Sequence, residues 1–174
     1  MDWILFSRIF LSILFFFSAL LKIVDKQNFI NTIKDIGIRK ELLSLAFGTL
    51  IIFEIIASIL LWINSLVVFG LSLVYLLSII FLFQTVKIIR SEEEVQCNCF
   101  GSLTDEKLGY STLIRIFIIL SVNTYLIINI NSMNSTFSLS EIFSYTTTSL
   151  GLIMLYSLLH TYTSLRVKIN KEIK

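Results

Sequence analysis

Long runs of apolar residues, separated by short polar segments, dominate the pattern of the chain. Four runs reach the length of about 20 residues that a membrane-spanning helix needs, at 3–23, 42–63, 66–86 and 111–130. The second and third are continuous, and as one helix they would be roughly 67 Å long, twice the thickness of a bilayer. We therefore expect the chain to reverse at Asn64 and Ser65. A fifth, weaker span that is rich in Ser and Thr is predicted at 142–165.

These runs predict helices rather than strands. Lipid offers no hydrogen-bond partner to an open sheet edge, so only helices and closed barrels span it. The runs do not alternate apolar with polar residues, and they are about twice as long as a barrel strand. Residues 26–41 mix apolar and basic positions, which is typical of a short helix on the membrane surface. The predicted fold class is an all-α polytopic membrane helix bundle of about five spans, forming one membrane domain over residues 1–174.

The composition excludes several other classes of protein. The chain is 56% hydrophobic and only 15% charged, with a mean hydropathy of +0.87, which rules out an ordinary soluble domain and a disordered chain. Two cysteines are too few for a disulfide-stapled secreted scaffold. A net charge of +2 provides no basic face for a nucleic acid.

The basic residues predict the orientation in the membrane. With five spans, 12 of the 14 basic residues fall on one side, and the other two, Arg8 and Arg115, lie inside spans. The positive-inside rule makes the basic side cytoplasmic, with the N-terminus outside and the C-terminus inside. The first span has no basic n-region and no clear cleavage site, so it is expected to be an anchor in the cell (inner or cytoplasmic) membrane. The loop 87–110, which carries both cysteines, is then cytoplasmic.

The two cysteines are separated by one residue in the segment Cys97-Asn98-Cys99-Phe100-Gly101. A metal site is not expected, because zinc needs three or four ligands and the one histidine, His160, is in another span. A disulfide across one residue closes a small, strained ring, and strained exposed disulfides tend to be labile or catalytic. Gly101 permits a sharp turn directly after the pair. A redox dithiol and a structural role both stay open at this point.

Ionisable residues inside spans form a second set of candidates. Counted from the cytoplasmic ends of their spans, Glu54 lies roughly 18 Å deep and Arg8 roughly 22 Å deep, so we expect them to form a buried ion pair. A purely structural role and a role in lining a ligand cavity are the two interpretations of this pair. Arg115, about one turn inside the fourth span, either stabilises a cysteine thiolate or extends to the headgroups. Lys22, at a span end, is expected to extend to the headgroups.

The segment Cys97–Gly101 resembles the C-x-C-F-G loop of the MauE family, membrane proteins of methylamine utilisation that are related more loosely to DoxX-like proteins. Three further features resemble the family in the same order along the chain: residues 17–23 at the end of the first span, Glu54 in the second span, and residues 111–115 at the start of the span after the loop. The resemblance covers most of residues 7–126.

The resemblance implies a multi-pass membrane protein that supports maturation of an exported, disulfide-containing enzyme, with a thioredoxin-like partner outside the cytoplasm. The expected site is then Cys97 and Cys99 for thiol–disulfide exchange, with Arg115 beside them and with Phe100 and Gly101 forming the turn. Two cysteines make one pair, so a partner protein or a quinone has to complete the cycle, and Glu54 and Arg8 are candidates to line a cavity for that molecule.

Two other functions stay open on the sequence alone. The protein could be a non-enzymatic membrane assembly factor whose cysteines are structural, or, less in keeping with five spans and no internal repeat, a small-solute transporter with Glu54 and Arg8 at its site. The charge count also places the loop on the side opposite to the exported clients that the resemblance implies.

Overall fold

The computed structural model describes residues 3–35, 39–91, 96–97, 106–107, 110–130 and 138–172. The helices are α1 Trp3–Val24, α2 Lys26–Asp35, α3 Leu43–Trp62, α4 Val67–Ser91, α5 Tyr110–Ile128 and α6 Leu139–Glu172. Two short antiparallel strands, β1 Gln96–Cys97 and β2 Glu106–Lys107, lie between α4 and α5. Within these ranges, all helices except α2 are long and apolar enough to span a membrane. The predicted all-α, multi-pass architecture is confirmed.

The reversal predicted at Asn64 and Ser65 is a 3₁₀ turn, Asn64–Leu66, between α3 and α4. Gly70, one turn into α4, lets the two helices approach closely just after the reversal. A Cβ atom at this position would lie 3.0 Å from the backbone nitrogen of Leu61, which has no freedom to move aside.

Two helix boundaries differ from the predicted span boundaries for physical reasons. Helix α4 continues past Val86 to Ser91, because an apolar run marks only the lipid-embedded part of a helix and backbone hydrogen bonding continues beyond it. Helix α6 begins before the predicted 142 because Ser138 and Glu141 form a reciprocal capping box. The Glu141 amide donates to Ser138 Oγ (3.3 Å), and the Ser138 amide donates to Glu141 Oε2 (3.2 Å).

Helix α1 is at the centre of the bundle, between α3 on one side and α6 on the other. The main core is formed by apolar side chains from α1, α3, α4 and α5, namely Leu11, Phe15, Ala57, Leu61, Val67, Leu71, Val74, Leu77 and Leu126. A smaller cluster joins α1 to α6 through Leu5, Ile9, Ile13 and Tyr145. Many large apolar side chains, such as Phe83, face outward, as expected of helices that contact lipid.

Helix α2 occupies the segment where a surface helix was expected, but it packs differently. Its apolar residues Phe29 and Ile33 are buried against the bundle, with α3 as a neighbour. Helix α2 therefore covers the end of the bundle at which α1 ends and α3 begins.

Candidate functional site

One face of α1 carries the polar side chains that organise the bundle interior. At 100° per residue, Arg8, Ser12, Ser18 and Lys22 lie within about 120° of the helix circumference. The facing side chains of α3 are Glu54 and Ser58, which are four residues apart and therefore lie on one face of the helix. The antiparallel pairing of these faces creates three polar levels along the bundle.

The middle level is a reciprocal pair of serines. Ser12 Oγ donates to the backbone carbonyl of Ser58 (2.9 Å), and Ser58 Oγ donates to that of Ser12 (2.9 Å). Both side chains are buried, and the hydroxyl oxygens are 3.1 Å apart. This pair fixes the register of α1 against α3.

The level near the C-terminal end of α1 is a buried ion pair between Lys22 and Glu54. The Lys22 ammonium donates to Glu54 Oε1, and each side chain is only 1% exposed. The ammonium also lies 5.2 Å from the ring centre of Phe29 and 5.0 Å from that of Phe81, which adds cation–π attraction. The expectation that Lys22 extends to the headgroups is therefore wrong, because α2 covers this end of α1 and the side chain turns inward to the carboxylate.

The level near the N-terminal end of α1 contains Arg8, which does not pair with Glu54. Arg8 Nε donates to the backbone carbonyl of Leu61, and Arg8 Nη1 donates to Asn64 Oδ1 (2.7 Å), so it ties α1 to the turn between α3 and α4. The predicted ion pair is wrong because depth was counted from span ends that are not level. With Ser12 opposite Ser58, Arg8 and Glu54 are separated along the bundle axis by about 12 Å.

Arg8 and Glu54 also line different cavities. Arg8 borders a small cavity of about 70 Å³ together with Ser12 and Leu61. Glu54 and Lys22 border a cavity of about 190 Å³ nearer the other end of α1. Within the described part of the chain, Arg8 and Glu54 therefore do not share the single ligand cavity that was expected.

The larger cavity, which we call the loop-end cavity, is built by five helices. It is lined by the second half of α1, by α2, by the first half of α3, by the second half of α4 and by the start of α5. Because neighbouring spans run in opposite directions, all these parts lie at the same end of the bundle, which is the end where the α4–α5 connection with the cysteines emerges. Most of the lining is apolar, including Leu14, Phe15, Leu50, Phe81, Ile116 and Ile119.

Three buried oxygen atoms of this lining lack a hydrogen-bond partner among the residues that the structure describes. They are Glu54 Oε2, Gln84 Oε1 and Thr112 Oγ1. A buried polar atom without a partner carries a penalty of about 1–3 kcal/mol. Their presence in the lining of one cavity therefore indicates a site suited to a ligand that supplies hydrogen-bond donors.

Arg115 also lines the loop-end cavity. Its Nη2 donates to Ser111 Oγ one turn earlier (3.2 Å), and its guanidinium carbon lies 5.1 Å from the ring centre of Tyr156 in α6. The structure thus places Arg115 between the cavity and α6. A contact with the cysteines stays a prediction, since Cys99 and the side chain of Cys97 lie outside what is described.

The backbone of Cys97 belongs to β1, and its partner across the strand pair is Glu106. This pairing joins the two ends of the segment that contains the C-x-C-F-G sequence. Cys99, Phe100 and Gly101 lie outside the described residues, so their expected roles are unchanged predictions. In the sequence, Cys97 and Cys99 lie between α4 and α5, and both of these helices line the loop-end cavity.

Sequence reasoning missed Lys22, Gln84 and Thr112. Lys22 had a usable signal, since it shares a helical face with Ser18 and Arg8, and a polar stripe in a membrane span normally faces another helix. Gln84 and Thr112 had no such signal, because single polar residues near span ends are common.

Comparison with known families adds to this geometry. The family model described as "Methylamine utilisation protein MauE" matches residues 1–129. The chain belongs to the MauE family. The match includes both cysteines and the entire lining of the loop-end cavity, and it stops just after α5. Comparisons with curated proteins and with solved structures give no match. Family membership and the five long apolar helices make this a multi-pass membrane protein associated with methylamine utilisation.

Proposed function

We propose that this MauE protein supports thiol–disulfide exchange during the maturation of exported, disulfide-containing proteins. The observation that carries the proposal is the C-x-C-F-G segment, which places Cys97 and Cys99 one residue apart in a connection that β1 and β2 tie together between two spanning helices. The partner that we propose is a thioredoxin-like protein, whose exposed disulfide or dithiol is the natural counterpart of such a pair.

The exchange proceeds in two balanced steps. The thiolate of one cysteine attacks the partner disulfide, forms a mixed disulfide and releases one partner thiol. The second cysteine then attacks the mixed disulfide, which forms the Cys97–Cys99 disulfide and releases the second partner thiol. Two electrons and two protons pass to the partner, and the reverse sequence oxidises the partner instead.

The chain has two cysteines in total, so it contains no second pair to relay electrons internally. Regeneration of the dithiol, or of the disulfide, therefore requires an external redox partner in each cycle, either a thiol–disulfide protein or a quinone. This requirement makes a stable association with a redox partner part of the proposal.

Single serine substitutions test the exchange. In the variant that retains only the attacking cysteine, the mixed disulfide cannot be resolved, so a covalent complex with the partner should accumulate in membranes. The reciprocal variant should trap much less, and the double variant Cys97→Ser/Cys99→Ser, as the matched control, should trap none. If neither single variant captures a partner and both retain function, the proposal fails and the assembly-factor alternative takes its place.

We also propose that the cysteine segment faces the cytoplasm, which makes its direct thioredoxin-like partner cytoplasmic and leaves the exported clients on the opposite side of the membrane. The distribution of basic residues still favours the cytoplasmic side. Lys22 no longer counts among the basic residues that flank the spans, because it is buried inside the bundle. A membrane-impermeant thiol reagent should then label the reduced cysteines only after cells are permeabilised. Labelling in intact cells would overturn this orientation and place the exchange on the side of the exported clients.

A further inference from the structure

We propose that the loop-end cavity binds a neutral, apolar ring molecule that carries hydroxyl donors, of the hydroquinone class. The inference rests on the cavity alone and does not depend on the chemistry proposed for the cysteines. Three properties of the cavity carry it: its size, the buried acceptors on its wall and the charges around it.

The volume suits one substituted ring. An apolar cavity of about 150 Å³ in another protein is large enough to bind benzene. The loop-end cavity, at about 190 Å³, has room for a ring with small substituents. Its walls are mostly aliphatic and aromatic side chains, such as Leu14, Phe15 and Ile119, which favour an apolar ligand.

The unpartnered atoms determine which groups the ligand must present. Glu54 is 1% exposed; Lys22 occupies its Oε1, and its Oε2 has no hydrogen bond of normal geometry among the described residues, with the Ser18 hydroxyl of the same lining as its one close polar neighbour. Gln84 Oε1 is a second buried acceptor without a hydrogen-bond partner, and the Thr112 hydroxyl, also without one, can donate to a ligand oxygen. A ligand with two O–H groups would supply the donors that Glu54 and Gln84 lack, which a plain hydrocarbon cannot do.

The charges disfavour a cation, and an anion would have no donor to offer to the unpartnered acceptors. The described lining has two cationic side chains, Lys22 and Arg115, and one carboxylate, Glu54. A cation would be repelled by the two existing cations, and the carboxylate already has an ammonium partner. An anion would place negative charge against the free oxygen of Glu54. A neutral molecule with donor groups avoids both kinds of charge repulsion.

Equilibrium binding to the purified full-length protein in lipid nanodiscs tests the proposal. The probe is trimethylhydroquinone, kept reduced by ascorbate, and the comparison ligand is its dimethyl ether, which has the same ring and no O–H donor. The hydroquinone should bind at least about tenfold more tightly than the ether, as expected for the loss of two hydrogen bonds. Equal affinities, or no binding of the hydroquinone, would overturn the proposal.

Two pairs of variants locate the site. Thr112→Val should weaken hydroquinone binding about threefold to tenfold, whereas Thr124→Val, on the same helix but outward and bonded to its own backbone at Leu120, should leave it unchanged. Ala46→Leu, which fills the cavity, should abolish binding, whereas Gly48→Leu, where nothing lies within 4 Å of an added Cβ, should not.

Each variant is first checked for an unchanged helical circular dichroism spectrum and thermal midpoint. Should Thr112→Val fail this check, Gln84→Met replaces it, since it removes an acceptor at similar volume. Unchanged affinity in folded Ala46→Leu would overturn the assignment to this cavity. The double variant Cys97→Ser/Cys99→Ser should bind the hydroquinone normally, so failure of the redox proposal and failure of this one give different results.

Discussion

Helix α1 carries two buried cations, Arg8 and Lys22, whose bonding partners differ. The partners of Arg8 that the structure describes are neutral oxygens, the carbonyl of Leu61 and the side-chain amide of Asn64, at the turn between α3 and α4. Lys22 is held by a carboxylate, Glu54, on the wall of a cavity. The first arrangement joins one helix to a tight turn, while the second leaves a carboxylate oxygen directed at space that a ligand can fill.

The difference separates the two ends of the bundle. At the Arg8 end, the chain reverses within a 3₁₀ turn, and Gly70 permits close packing. At the Lys22 end, five helices leave a cavity, and the connection with the cysteines emerges there. We infer that the buried cations stabilise the fold at both ends and that the proposed binding and exchange sites lie at the Lys22 end.

The largest effect is expected when the ion pair loses one partner. Lys22→Met leaves the Glu54 carboxylate buried without its cation, which should lower the free energy of unfolding by about 3–5 kcal/mol. Unfolding in mixed micelles with increasing SDS measures the change. The double variant Lys22→Met/Glu54→Leu should recover most of the loss, because it removes both charges together. A double variant as unstable as Lys22→Met would show that the two residues do not interact.

A smaller loss is expected at the other cation. Arg8→Met removes donors from the carbonyl of Leu61 and from Asn64 Oδ1, and should lower the free energy of unfolding by about 2–3 kcal/mol. Arg8→Lys should recover only part of this loss, since an ammonium cannot reproduce the planar geometry of the guanidinium. Combining Arg8→Met with Glu54→Gln should give additive losses, and a clear coupling would restore the discarded Arg8–Glu54 pair.

The serine level between the two cations should contribute less again. Ser12→Ala removes one of two reciprocal hydrogen bonds and should lower the free energy of unfolding by about 1 kcal/mol, in the range measured for hydrogen bonds between membrane helices. Thr49→Ala serves as the matched control, because this exposed hydroxyl bonds only within its own helix. A loss at Ser12 no greater than at Thr49 would show that the serine pair does not join α1 to α3.

The smallest effect is expected at an exposed cation near Lys22. Lys26 lies 5.7 Å from the ring centre of Phe47 but is exposed at the start of α2. Lys26→Ala should change the free energy of unfolding by no more than about 0.5 kcal/mol in the same assay. A loss comparable to that of Lys22→Met would mean that burial does not distinguish the two lysines.

The helices could be predicted from the sequence because lipid requires every span to be a continuous apolar helix of about 20 residues. Continuous apolar runs gave the positions of α1, α3, α4, α5 and α6, and the break at Asn64 and Ser65 marked the reversal. Only α4 and α6 have ends that differ from the prediction by more than two residues, because hydrogen bonding and capping, rather than hydrophobicity, set where a helix stops.

The pairing of charges could not be predicted in the same way. Depth along a span ignores how far one helix is shifted against the next, and the Ser12–Ser58 contact that sets this shift is a tertiary feature. The loop-end cavity depends on five helices at once, including α2, whose inward packing no local pattern required. The C-x-C-F-G segment could be identified from the sequence because its functional residues are adjacent in the chain.

The redox state of the two cysteines in native membranes tests the proposed function most directly. Quantitative alkylation with a mass-tagged thiol reagent, read by intact-protein mass spectrometry, counts the free thiols per chain. As the external thiol–disulfide buffer is varied, the protein should change between two free thiols and none, in one transition. Two free thiols under all conditions, or a disulfide that never opens in the folded protein, would contradict a dithiol that exchanges with a partner.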